Sequence, residues 1–124
     1  MNSRKNKVLI VEDDRINMEL MKDVLHPAGF TTVATRDGRK AIQMVRKHNP
    51  DLIVMDINLG EISGLDLTVK LKRDDELKHI PIIAVTAFAM KGDKEKCVAA
   101  GCDAYISKPI GVADFLYMVN KLIG

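Results

Sequence analysis

The sequence predicts an α/β fold, a five-stranded parallel doubly wound sheet with five helices, and three observations lead there. Unbroken apolar runs at Val8–Val11, Leu52–Met55 and Ile82–Val85 lack the alternation of a half-solvated strand, so they mark strands buried on both faces. Stretches with apolar residues at helical spacing separate these runs, and Pro, Gly and Asn punctuate the boundaries. Parallel strands need crossovers of helix length, so alternating strands and helices give a sheet covered on both sides. For a chain of this size, the order 2-1-3-4-5 suits that architecture.

The first strand is Lys7–Val11, ending in Glu12-Asp13-Asp14. Asp14 is a plausible N-cap for a helix in which Ile16, Leu20, Met21, Val24 and Leu25 recur, and Pro27 with Gly29 marks its stop. Phe30–Thr35 is β-branched and partly alternating, which predicts a more exposed strand. Asp37-Gly38 turns the chain into a second helix with Gly38, Ala41, Ile42 and Val45 on one stripe, ended by Asn49-Pro50. The central strand runs straight into Asp56 and is followed by a loop from Ile57 to Ser63 and a helix from about Gly64 to Arg73. After a polar connection, Asp74 to His79, Pro81–Val85 forms a buried strand ending in Thr86. A charged helix is expected over Met90–Ala100 with Gly101 as its stop, then a short strand, Asp103–Ser107, and Lys108-Pro109. Val112, Phe115, Leu116, Val119, Leu122 and Ile123 share one face of the last helix.

The 124 residues make one domain, 1–124, with 47% hydrophobic and 29% charged residues. A net charge of +2 is too small to argue for nucleic acid or a membrane surface as partner. No apolar run approaches the roughly 20 residues of a spanning helix. The basic start, Met1 to Lys7, leads into too short an apolar run for a signal peptide, so the expected location is cytoplasmic. Cys97 and Cys102 match neither a common zinc spacing nor a thioredoxin-type motif and are expected to be reduced and structural. His26, His48 and His79 are scattered and suggest no chemistry.

Ligand sites in such sheets lie outside the carboxyl ends of the strands. Those ends supply Glu12 and Asp13, Asp56, Thr86 and Lys108. Two unit charges about 4 Å apart repel by roughly 4 kcal/mol at an effective dielectric of 20. Three carboxylates together therefore share protons or bind a cation, and hard oxygen ligands favour a divalent ion such as Mg²⁺. A carboxylate can also attack a phosphoryl group and carry it as an aspartyl phosphate. A metal, a lysine and a threonine hydroxyl would neutralise or hydrogen-bond the transferring group.

This set, Glu12-Asp13, Asp56, Thr86 and Lys108-Pro109, resembles the receiver domain of two-component response regulators over roughly Lys7 to Leu122. The resemblance implies a flavodoxin-like receiver fold and an Asp56 that accepts a phosphoryl group from a phosphohistidine on a sensor histidine kinase or histidine phosphotransferase. It implies Mg²⁺, with Mn²⁺ as a substitute, on Asp13, Asp56 and the Asn58 backbone carbonyl, with Glu12 acting through water. Thr86 and Lys108 would contact the phosphoryl oxygens, and Lys108-Pro109 would be a cis peptide that aims the lysine. Thr86 and Tyr105 match the pair that couples phosphorylation to a surface change, read by a downstream protein at the fourth helix, fifth strand and fifth helix. The first helix, with Asn17, Met18, Met21 and Lys22 at its expected exposed edge, resembles the kinase-docking helix. Glu61–Leu65, Thr86–Asp93 and Gly101–Ile110 are similar to a single-domain regulator of cell division.

One departure is visible: Leu59-Gly60 stands where the family usually has an apolar residue and proline, and the glycine is expected to loosen that loop. The chain ends soon after the last helix, so output is expected through protein contacts rather than nucleic acid or membrane insertion. The reading is a signalling switch that catalyses its own phosphoryl transfer and hydrolysis. A phosphatase of the aspartate-nucleophile type would want an acid at Asn58, and a flavin module would want a Ser/Thr/Gly-rich loop in place of Glu12-Asp13-Asp14.

Overall fold

The computed structural model describes residues 6–87 and 92–123. In chain order its elements begin with β1 (Lys7–Val11), α1 (Arg15–Leu25), β2 (Thr31–Thr35), a 3₁₀ turn at Gly38–Lys40 and α2 (Ala41–His48). There follow β3 (Leu52–Asp56), β4 (Asn58–Leu59), β5 (Ile62–Ser63) and α3 (Gly64–Arg73). The chain closes with β6 (Ile82–Thr86), α4 (Asp93–Ala100), β7 (Ala104–Ser107) and α5 (Val112–Ile123).

Five strands form one parallel sheet in the order β2-β1-β3-β6-β7, which is the expected 2-1-3-4-5 once the two short strands are set apart. The unbroken apolar runs have a direct cause. Val8, Ile10, Val54, Ile83 and Val85 point into one core with Met18, Met21, Leu25, Phe115 and Val119 of α1 and α5. Leu9, Val11, Ile53, Met55 and Ile82 point into a second core with Ala41, Val45, Leu67 and Leu71 of α2 and α3. Side chains alternate faces along a strand, so two cores require apolar residues at every position.

Local signals set the boundaries. Asp14 caps α1 through a 3.0 Å bond from the Ile16 N–H. Asn49, at φ 45, ends α2 in the left-handed conformation that asparagine tolerates. Edge strand β2 is half-exposed, as its mixed pattern predicts, and so is β7 at the other edge. At the end of α4, Gly101 has φ 102, and a Cβ there would also meet Lys72 Cγ at 2.9 Å. Gly101→Ala is expected to lower stability by about 1–2 kcal/mol, the cost of left-handed backbone for an L residue. Urea unfolding measures it, and an unchanged midpoint would refute it.

The structure corrects four expectations. Ile16 is exposed, while Met18 and Met21, assigned to an exposed edge, are core residues. Val112 begins α5 outside the core and is half exposed. Residues Ile57 to Ser63 are not an irregular loop, because β4 and β5 pair antiparallel, Asn58 with Ser63 and Leu59 with Ile62. Gly60 opens that two-residue turn at φ 73, so glycine here makes the hairpin rather than loosening it. Among the described residues α4 starts at Asp93; Met90 and Lys91, where the sequence places its beginning, lie outside them.

Candidate functional site

The carboxyl edge of the sheet gathers the residues named from the strand ends. Register does this work: Val11 pairs with Met55, Asp56 with Val85, and Thr86 with Ser107. Glu12, Asp56, Thr86 and Lys108 therefore end four neighbouring strands at one level. A bond from the Lys108 N–H to the Thr86 carbonyl, 2.8 Å, fixes the turn out of β7, and the Lys108-Pro109 peptide is cis.

Lys108 Nζ donates to Glu12 Oε2 and to Asp56 Oδ2, each at 3.1 Å. Glu12 is fully buried and Asp56 only 2% exposed. Asp56 Oδ1 accepts a 2.9 Å bond from the backbone N–H of Asn58, and Glu12 Oε2 accepts another, 3.1 Å, from the Asp14 N–H. Asp13 is half-buried, with its carbonyl held by Arg36 Nε at 3.1 Å. Asp14 is diverted from the cluster, because its carboxylate caps α1 and accepts from Asn17 Nδ2 at 2.8 Å.

Charge in this crevice does not balance. One oxygen each from Glu12, Asp13 and Asp56 lies within 4.8 Å of the others, and among the described residues Lys108 is the cation paired with them. Burial, with Asp56 as the next cause, pushes the Glu12 carboxyl up to about 7. Burial alone would lower the Lys108 ammonium, but its hydrogen bonds to Glu12 and the charge of Asp56 hold it above the ordinary lysine value. Glu12 Oε1 is buried with no hydrogen-bond partner among the described residues. An orphaned buried oxygen within a cluster of three carboxyl groups fits a hard divalent cation.

A cleft of about 360 Å³ opens beside the cluster, lined by Asn58, Glu61, Thr86, Asp93 and Lys96 among others. Thr86 is buried at its wall. Tyr105 is not brought to the carboxylates; it is half-buried on β7 and lines a separate cavity of about 140 Å³. Glu12, Asp13, Asp56, Asn58, Thr86 and Lys108 thus converge, and Tyr105 stands apart.

Two supports left no mark on the sequence reading. The Asn58 amide that orients Asp56 is a backbone donor, which any residue type supplies. Gly64 starts α3 directly behind Asp56, where a Cβ would lie 2.0 Å from the Asp56 carbonyl oxygen. The Ser63-Gly64 step before an apolar stripe is the signal that could have pointed there, since Ser63 caps α3 by accepting from the Leu65 N–H at 3.2 Å.

Comparison with known proteins gives a consistent picture. A family model described as the response regulator receiver domain matches residues 8–120. The polar-differentiation response regulator DivK of Brucella anthropi is 54% identical over 117 residues, covering 94% of this chain and 95% of the relative. Among solved structures, a response regulator from Chloroflexus aurantiacus superposes with a TM-score of 0.92 at 28% identity, covering 97% of this chain and 98% of the other. The receiver domain of the sensor histidine kinase PA1611 from Pseudomonas aeruginosa, solved with a magnesium ion coordinated in its active-site cleft, gives 0.87 at 30% identity, with coverage of 96% and 98%.

Proposed function

The chain belongs to the response regulator receiver domain family, and we propose that it is a phosphoryl-operated switch with Asp56 as the acceptor. The observation that carries this reading is the pair of 3.1 Å bonds by which Lys108 joins buried Asp56 to buried Glu12 at the end of the central strand. Residues 1–124 act as one receiver unit. The donor is a phosphohistidine on a sensor histidine kinase or histidine phosphotransferase.

Glu12, Asp13, Asp56 and the Asn58 carbonyl are the residues that would hold Mg²⁺, or Mn²⁺ in its place, Glu12 through water. The ion supplies charge neutralisation for the phosphoryl oxygens when bound. The rest falls to the chain. Asp56 Oδ1 is fixed by a backbone amide, whereas Oδ2 is held by a lysine side chain that can swing away. Oδ2 therefore attacks phosphorus, the P–N bond to the imidazole breaks, and the ring nitrogen leaves with the electron pair. The product is a mixed anhydride, the aspartyl phosphate. Lys108 and the Thr86 hydroxyl then hydrogen-bond the new phosphoryl oxygens. Water attack on phosphorus restores the carboxylate, so the switch resets itself.

Thr86 and Tyr105 carry the signal outward. Thr86 lies at the wall of the site and Tyr105 on the neighbouring strand, beside α4. A shift of Thr86 toward the phosphoryl group makes room for the ring, and α4, β7 and α5 present the change to a downstream protein.

The deciding experiment is incubation with acetyl phosphate and Mg²⁺, borohydride trapping and peptide mapping. Label on Asp56, lost when a chelator removes the metal, is the expected result. Label elsewhere, or none, would refute the reading. Lys108→Ala should slow uptake roughly 10²-fold, as removal of a single transition-state donor does. Stopped-flow labelling would read this, and a rate within threefold of the parent would exclude the role given to Lys108.

A further inference from the structure

Both cysteines lie at the carboxyl end of α4, away from the carboxylate cluster. Cys97 is wholly buried in the last turn of the helix, and Cys102 is half-buried just past its end. Gly101, left-handed at φ 102, lets the chain close on itself twice. Its own N–H donates to the Val98 carbonyl at 3.0 Å, and the Cys102 N–H donates to the Cys97 carbonyl at 3.0 Å. This double closure is a Schellman motif, in which the side chains joined by the outer bond come together. Here those side chains are two thiols, Cys97 buried and Cys102 half-buried. Both line the 140 Å³ cavity shared with Val98, Ala104 and Tyr105.

The outer bond also limits the backbone separation. With the N···O distance of 3.0 Å, standard bond lengths put the two Cα atoms at most roughly 7 Å apart. The bend at the carbonyl oxygen shortens that further, toward the window of about 4.4–6.8 Å that a disulfide spans. The backbone thus holds both cysteines within disulfide reach, and their side chains line one cavity.

We propose that Cys97 and Cys102 form a reversible intramolecular disulfide that pins the end of α4 to the start of β7. A peroxide is the oxidant. The half-exposed Cys102 sulfur attacks the O–O bond of hydrogen peroxide, takes one oxygen as a sulfenic acid, and water leaves. The Cys97 sulfur then displaces that hydroxyl, the S–S bond forms, and a second water departs with the Cys97 proton. Two thiols and one peroxide thus give one disulfide and two waters, and a dithiol reductant reverses the change. Access sets the order, with Cys97 as the resolving thiol. Burial pushes Cys97 up to about 12 and raises Cys102 as well, so both rest as thiols and react more slowly than a free surface cysteine. Such a bond is a transient, redox-sensing one rather than a structural staple. It stands independently of the phosphoryl-acceptor reading.

The test uses the full chain, treated with hydrogen peroxide, denatured, alkylated with a maleimide and weighed intact. The expected product is a monomer with no alkylated cysteine and a mass lower by two hydrogens, reversed by dithiothreitol. Amide exchange over Asp93–Ala100 should slow in the oxidised form. In Cys97→Ala, Cys102 should gain oxygen without losing two hydrogens. In Cys102→Ala, the buried Cys97 should stay alkylatable after denaturation. Persistence of both thiols in the parent, a disulfide between two chains, oxygen on Cys102 with Cys97 still alkylatable, or unchanged exchange in α4 would each overturn the proposal.

Discussion

Asp56→Asn is expected to take up no phosphoryl group from acetyl phosphate and Mg²⁺, a loss of at least about 10³-fold, in line with removal of an essential nucleophile. The amide keeps the shape of the carboxylate and retains an oxygen for the Asn58 N–H, so the bond that positions residue 56 survives. It has no anionic oxygen with which to attack phosphorus. Burial is the main cause of the raised Glu12 carboxyl, followed by its hydrogen bond with Asp56 and then the Asp56 charge. The amide removes that charge, so Glu12 should titrate lower in the metal-free variant. Mass spectrometry after borohydride trapping reads the first effect, and carboxyl NMR shifts against pH read the second. Uptake within tenfold of the parent would place the acceptor elsewhere, and an unmoved Glu12 would mean that the two carboxyl groups do not interact.

How much of this was legible beforehand depends on where the physical cause resides. Strands β1, β3 and β6 announce themselves because burial on two faces demands apolar residues without alternation. Glu12, Asp56, Thr86 and Lys108 stand out for the complementary reason, as polar residues that end such strands. Helix α1 was harder. At about 100° per residue, Ile16 lies nearly opposite Met18 on the helix, while Met21 and Leu25 fall close to the Met18 direction. An apolar residue at the first turn does not reveal whether the sheet reaches that far, and here it does not. The β4–β5 hairpin has two residues per strand, too few to show any period. Backbone donors such as the Asn58 amide leave no trace in residue type. Gly64 is the extreme case, because what matters there is a side chain that must be absent, and only the neighbouring strand explains why.

Gly64→Ala should destabilise the protein by about 3 kcal/mol or more, at the upper end of what overpacking costs. The added Cβ would stand 2.0 Å from the Asp56 carbonyl oxygen and 2.9 Å from both Asp56 C and Ile57 Cα. All three are backbone atoms, so no rotamer change relieves the clash. Two relaxations are open, and each is expensive. If α3 withdraws, Leu67 and Leu71 leave the core beneath the sheet, and the 2.8 Å bond from the Gly64 N–H to the Ile57 carbonyl breaks. If the Asp56 peptide tilts instead, the 2.9 Å bond from the Ile57 N–H to Val85 is lost and the carboxylate turns away from Lys108. Stability and chemistry therefore fall together, and phosphoryl uptake by the folded fraction should drop with the urea midpoint. Gly60→Ala is the control: it has nothing within 4 Å of the new Cβ and only its φ of 73 to strain it, so about 1–2 kcal/mol should cover it. Should Gly64→Ala prove no more harmful than Gly60→Ala, the close seat of α3 against β3 would not be what holds Asp56 in place.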